Sequence, residues 1–181
     1  MKTTSTRAKI LNRYKLSSWM GALACALAVA SCSIKYSFSG ASISPESKTF
    51  SVQFFPNMAP LVNPVLSSTF TEALKMKFLT GTRLSETDDA GDLAFEGEIT
   101  GYAVTPQAIT ASEVAAQNRL TISVHVKFTN EQDPAQSYDK SFSQYEDYDS
   151  QRNLSDVEGE LMEAIVKKLV EDIFNAAVAN W

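Results

Sequence analysis

Residues 119–130, "RLTISVHVKFTN", alternate with a period of two. Leu120, Ile122, Val124, Val126 and Phe128 fall on one side, and Thr121, Ser123, His125 and Lys127 on the other, the pattern of a strand with one face buried and one wet. "LAFEGEITGYAV", residues 93–104, alternates in the same way. There Leu93, Phe95, Ile99 and Ala103 share a face with Gly97 and Gly101, while Glu96, Glu98, Thr100 and Tyr102 take the other, and Pro106 closes the strand. "KTFSVQFF", residues 48–55, predicts an earlier strand, and "SYDKSFSQYEDY", residues 137–148, a weaker one through Tyr138, Lys140 and Phe142.

Elsewhere the period changes to that of a helix. Leu66, Phe70, Ala73, Leu74 and Phe78 follow Asn63-Pro64, an N-cap with proline at the first helical position, and Gly81 is the expected C-cap. The final segment has the longest stripe: Val157, Leu161, Ile165, Leu169, Ile173 and Ala177 at four-residue steps, widened by Val166, Val170, Phe174 and Val178. Glu160, Glu163, Lys167, Lys168, Glu171 and Asp172 take its wet side, and Ser155 to Glu158 reads as a capping box. The predicted order is β-α-β-β-β-α. The polar alternation leaves one sheet face wet, so the expected fold is α+β, a two-layer sandwich of a four-stranded mixed sheet with two helices on one face.

The first 31 residues have a different character. Lys2, Arg7, Lys9, Arg13 and Lys15 precede a short apolar run, Trp19 to Ala30, with no acidic residue among them. That run covers about 12 residues, where a bilayer span needs about 20, so an export signal is expected rather than a permanent membrane helix. Val29-Ala30-Ser31-Cys32 resembles the bacterial lipobox, in which the cysteine thiol receives a diacylglycerol, cleavage occurs just before it, and the new amino terminus is acylated. The chain then divides into a signal peptide (1–31), the lipidated Cys32 with a Ser-rich tether (32–47) and one sandwich domain (48–181).

Processing changes both charge and cysteine chemistry. Of 16 basic and 21 acidic residues, five basic ones lie in residues 1–31, leaving eleven against 21 and a net charge of −10. Such a surface is unsuited to capturing nucleic acid. Of the two cysteines, Cys25 leaves with the signal and Cys32 is acylated, so no thiol remains for a disulfide, a metal site or catalysis.

Candidate chemistry is sparse. Glu96 and Glu98 lie about 7 Å apart along one strand face, a spacing compatible with acid/base hydrolysis and equally with a solvated surface. His125 is the sole histidine and sits mid-strand, without a G-x-S-x-G serine, so neither a Ser/His/Asp triad nor a multi-histidine metal site is expected. Asp88, Asp89 and Asp92 do not have the spacing of an EF-hand loop and read as a polar turn. No catalytic residue, metal or cofactor is assigned. One strip stands out: Arg119, His125 and Lys127 among Thr121 and Ser123, with Lys140 opposite, a possible contact for an anionic ligand.

The lipobox, "KTFSVQFFPNMAPLVNPVLSSTFTEALKMKFL", "DLAFEGEITGYAVTPQAI", "NRLTISVHVKFTN" and "LVEDIFNAAVANW" together resemble the LPS-assembly lipoprotein family of the LptE type. The likeness runs from residue 32 to 181, carried chiefly by "FEGEITGY" and "VEDIFNAAVANW". It implies a lipoprotein of the outer membrane, on its periplasmic side, that plugs an LptD-type β-barrel, helps it fold and assists lipopolysaccharide transport to the cell surface, without enzyme chemistry. It also implies lipopolysaccharide binding, without assigning that activity to positions in this chain. Ser33 after Cys32, rather than Asp, is compatible with outer-membrane sorting. A periplasmic solute- or lipid-binding lipoprotein is the alternative, and it would need a closed apolar pocket.

Overall fold

A computed structural model of the protein describes residues 43–61, 63–107 and 116–178. Cys32, the signal segment and most of the tether lie outside them. The last part of the expected tether is packed on the domain: Ile43 rests against the core, Ser47 is buried, and a turn closes between Ser47 N–H and the Ser44 carbonyl.

The sheet has five strands rather than the expected four. In chain order they are β1 (Thr49–Val52), helix α1 (Leu66–Gly81), β2 (Ser85–Glu86), β3 (Leu93–Gln107), β4 (Gln117–Asn130), β5 (Tyr138–Asp149) and helix α2 (Leu154–Val178). In space the order is β2-β1-β3-β4-β5. β1 runs parallel to both neighbours, whereas β3, β4 and β5 form an antiparallel meander. The additional strand, β2, is two exposed residues in the stretch expected to be a polar turn. It has no alternation to detect and exists because Ser85 and Thr87 N–H donate to the Lys48 and Phe50 carbonyls.

The core lies between the sheet and the helices. Leu120, Ile122, Val124, Val126 and Phe128 of β4 are all buried, as alternation predicts. From α2, Val157, Leu161, Ile165, Leu169, Ile173 and Ala177 are buried against them, and α1 adds Leu66, Phe70, Leu74 and Phe78. A row of rings crosses the layer, with Phe50–Phe78, Phe78–Phe95 and Phe95–Phe128 centroids 5.6, 4.6 and 4.8 Å apart. Side chains of this size dominate the energetics of a core without disulfides, each contributing about 1.5–3 kcal/mol on full burial.

Several local expectations are corrected. β3 pairs with β4 residue by residue from Leu93–Asn130 to Ile99–Val124, but Gly101 then faces Ser123, so Thr100 is a bulge. One extra residue inverts the inside/outside pattern beyond it. Tyr102 therefore points inward and is buried, while Ala103 is exposed. The strand also continues through Pro106, which faces Asn118 and ends only at Gln107. At the end of α1 the residue past the last turn is Thr82, in an extended conformation, and both its N–H and its hydroxyl donate to the Phe78 carbonyl. Gly81 is instead the last helical residue, where an added Cβ would lie 2.9 Å from the Phe174 ring. α2 begins at Leu154, one residue before the expected cap Ser155, with Asp156 N–H donating to the Asn153 carbonyl. Glu158 is thereby released from a capping role.

Candidate functional site

The open sheet face carries the expected basic strip, and register determines its charge. Arg119 faces Asp147, His125 faces Ser141 and Lys127 faces Asp139 across the β4–β5 pair. Arg119 grips Asp147 with two hydrogen bonds, Nε to Oδ1 at 2.7 Å and an Nη to Oδ2 at 2.9 Å, and its guanidinium lies 3.6 Å from the centre of the Tyr145 ring. The pairing holds the Asp147 carboxyl below its usual range. His125 Nε2 lies 2.7 Å from Asp139 Oδ1, and Lys127 Nζ 3.5 Å from Glu96 Oε2. Arg119 and Lys127 thus each have a carboxylate beside them, and the His125 ring lies against a third. The hydroxyls pair as well, with Ser123 and Ser143 Oγ 2.9 Å apart. The face is a wet ladder of paired polar and charged side chains.

Lys140 does not belong to this strip. Its register partner is Val126, whose side chain is buried under the helices, so Lys140 projects from the helix-facing side of the edge strand. There its ammonium lies 4.5 Å from the Tyr138 ring centre and 5.0 Å from that of Phe142. An inward-pointing lysine on an edge strand discourages edge-to-edge association.

The paired glutamates also separate. Glu96 contacts Lys127 and the Gln53 side-chain amide, while Glu98 stands opposite His125 in the register. Between them Gly97 permits close approach: a Cβ there would lie 2.0 Å from the His125 carbonyl oxygen and 2.7 Å from the Phe55 ring. Asp92 is committed to the backbone, with Oδ2 accepting from Lys48 N–H at 2.8 Å, Thr49 N–H at 3.0 Å and Thr49 Oγ1 at 3.0 Å. Those donors, the Lys48 amide foremost, hold its carboxyl down to about 2. Asp88 and Asp89 line a hollow of about 170 Å³ with Lys75 and Glu86. Among the described residues, no group of three His, Cys, Asp or Glu side chains is placed to share a metal ion.

The segment between β1 and α1 departs from expectation at both ends: the strand expected through Phe55 stops at Val52, and the helix expected to be capped by Asn63 begins at Leu66 after Val65. Phe54, Met58, Leu61 and Val65 are 62, 64, 62 and 52% exposed, although much of the backbone around them is hydrogen-bonded. Gln53 N–H donates to the Phe95 carbonyl, Ile99 N–H to Pro56, and Met58 N–H to Ile99, so the chain runs on beside β3 after β1 ends. Phe55 is fully buried, with its N–H on Thr71 Oγ1, and Ala59 N–H donates to Asn57 Oδ1. Asn63 folds back through Oδ1 onto Val65 N–H and sends its amide to Glu158 Oε1 at 2.8 Å. Tyr102, brought inward by the bulge, donates to the same carboxylate oxygen. Burial first, and then the Glu158 carboxylate, raise the Tyr102 hydroxyl well above its ordinary pKa. The loop displays these apolar side chains on a backbone tied to β3 at one end and, through Asn63, to α2 at the other. The available sequence signal was its run of large apolar residues between prolines, which fits neither period.

The helix layer presents a second surface feature, a groove of about 370 Å³ between α1 and α2 over Ala73, Met76, Val166 and Val170, flanked by the Lys77–Glu171 ion pair at 2.6 Å. Among the described residues, no helix is long and apolar enough to cross a membrane.

Solved structures with a similar fold include a hypothetical protein from Chlamydia trachomatis, with 9% identity over 74% of this chain and 99% of that one at a TM-score of 0.50. Another is a putative neuraminyllactose-binding hemagglutinin homolog from Helicobacter pylori, with 12% identity over 77% and 88% at 0.50. A minor lipoprotein from Acinetobacter baumannii matches at 15% identity over 71% and 91%, with a TM-score of 0.45. At these identities the likeness concerns the fold alone. No curated protein sequence matches the chain. Residues 47–177, the whole sandwich from the start of β1 to the last turn of α2, match the LptE lipopolysaccharide-assembly family, and the chain belongs to that family.

Proposed function

We propose that this protein is an outer-membrane lipoprotein, anchored through acylated Cys32 on the periplasmic side, that plugs and assists an LptD-type β-barrel in delivering lipopolysaccharide to the cell surface. The observation that carries the reading is the family match across residues 47–177. The wet sheet face supports it, because the lumen of a large barrel is polar and accepts a wet-faced domain. LptE proteins are a non-enzymatic lipoprotein family, and no step of chemistry is assigned to Glu96, Glu98 or His125. Two or three acyl chains on Cys32, each buried CH₂ contributing about 0.8 kcal/mol, would hold the domain beside its barrel and raise its local concentration there. Lipopolysaccharide contact, in this reading, does not run through Arg119 and Lys127, whose charges are already met by Asp147 and Glu96, nor through His125, whose ring is engaged by Asp139.

The test is gentle detergent extraction of the tagged, full-length protein, with depletion in parallel. Co-purification of a large outer-membrane barrel and loss of surface lipopolysaccharide on depletion are expected. A protein that purifies alone even after cross-linking, with surface lipopolysaccharide unchanged on depletion, overturns the proposal.

A further inference from the structure

Of seven large apolar side chains exposed among the described residues, six fall between residues 54 and 79, and four of these (Phe54, Met58, Leu61 and Val65) stand on the fastened loop. The sequence from Gln53 to Thr71, "QFFPNMAPLVNPVLSSTFT", contains no charged residue at all. We propose that these four side chains form the docking surface for the barrel protein, which meets them with an uncharged apolar patch of its own; this rests on the function proposed above and assigns a place to the contact.

Two observations select a protein rather than a lipid surface as the occupant. Apolar segments that enter anionic membranes are flanked by lysine and arginine, and this loop has none within it, on a chain of net charge −10 after processing. Second, both ends of the loop are tied to the rest of the domain. Asn63, Glu158 and Tyr102 fix its exit and the Phe95 and Ile99 carbonyls fix its course. A display preorganised in this way loses little entropy on association, and a cluster of large apolar anchors is the composition of an interface centre.

The experiment uses the full-length lipidated protein in intact outer membranes, with a photo-cross-linking amino acid at position 54, 58, 61 or 65. Control positions are 121 and 127 on the sheet face and 160 on α2, and adducts are identified by mass spectrometry. Barrel adducts at the loop positions, and weaker or none at the controls, support the proposal. Phospholipid adducts at the loop positions overturn it. Barrel adducts only at the controls overturn it while leaving the proposed function standing, and no barrel adduct at any position removes both. The triple variant F54S/M58S/L61S gives an independent reading. Its side chains are exposed, so its melting temperature should stay within about 3 °C of the parent, while co-purified barrel falls by about tenfold or more. Undiminished barrel recovery overturns the assignment.

Discussion

The Tyr102 hydroxyl donates to Glu158 Oε1 at 2.5 Å, and that oxygen also accepts from Asn63 Nδ2 at 2.8 Å. Three parts of the chain meet in this contact: the end of the apolar loop, the bulged half of β3 and the first turns of α2. None of the three residues reads as functional in isolation, and all three carry a different expected role in the sequence, Asn63 as the N-cap of α1, Tyr102 as a solvent-facing strand residue and Glu158 as part of a capping box.

Removing the acceptor exposes the value of the contact. Glu158→Ala leaves the buried Tyr102 hydroxyl and the Asn63 amide without it, at a cost of about 1–3 kcal/mol. Tyr102→Phe should cost less, since Glu158 keeps Asn63. Urea denaturation of the two single variants and the double variant gives the coupling, and additivity within about 0.3 kcal/mol would show that the pair does not interact in solution.

Asp92 makes stability depend on pH at the acid end. Its carboxyl is depressed to about 2 in the folded protein, against about 3.9 unfolded. The unfolded chain therefore binds the proton more tightly. The stabilisation is fully present above the unfolded value and is lost as pH falls through about 2. Urea midpoints measured from pH 5 down to pH 2 should drop, and Asp92→Asn should flatten that slope. An identical slope in the variant would show that other carboxylates set it.

Gly97 has φ +158° and no room for a side chain. Gly97→Ala forces the His125 carbonyl and the Phe55 ring to move, combining overpacking with strain, for a loss of about 3 kcal/mol or more. Thermal unfolding decides it, and a melting temperature equal to the parent's contradicts the close approach.

Ile165 is fully buried at the centre of the α2 stripe. Ile165→Asp places an unpaired charge in the core and should cost several kcal/mol, on the order of total domain stability. Far-UV circular dichroism with heating reads the outcome, and near-parental stability would show that the stripe is not core.

Cys32→Ala tests the anchor directly. The expected outcome is loss of acyl mass from the mature amino terminus and release of the protein from the membrane fraction. Normal membrane fractionation of the variant would contradict lipidation at this residue.

The amino-acid pattern by itself determined the inward face of β4, the α2 stripe and the α+β class. Those follow from local periodicity, because a strand or helix long enough to show its period has one choice of buried side. It did not determine β2, the bulge at Thr100 or the charge state of the basic strip. β2 has two residues and no period, and it forms only because β1 offers an open edge. The bulge inserts a single residue, invisible until β3 is laid against β4, and it moves Tyr102 inward and Ala103 outward. From the sequence the strip is basic and hydroxyl-rich with Lys140 opposite, but register across β4 and β5 places Asp147 and Asp139 beside Arg119 and His125 and turns Lys140 to the other face. Electrostatics and side-chain contact depend on distances in space between residues far apart in sequence, and only the tertiary structure fixes those distances. The apolar loop combines both: its uncharged composition is plain in the sequence, but only the packing of Phe55 beneath it decides that Phe54, Met58, Leu61 and Val65 remain outside.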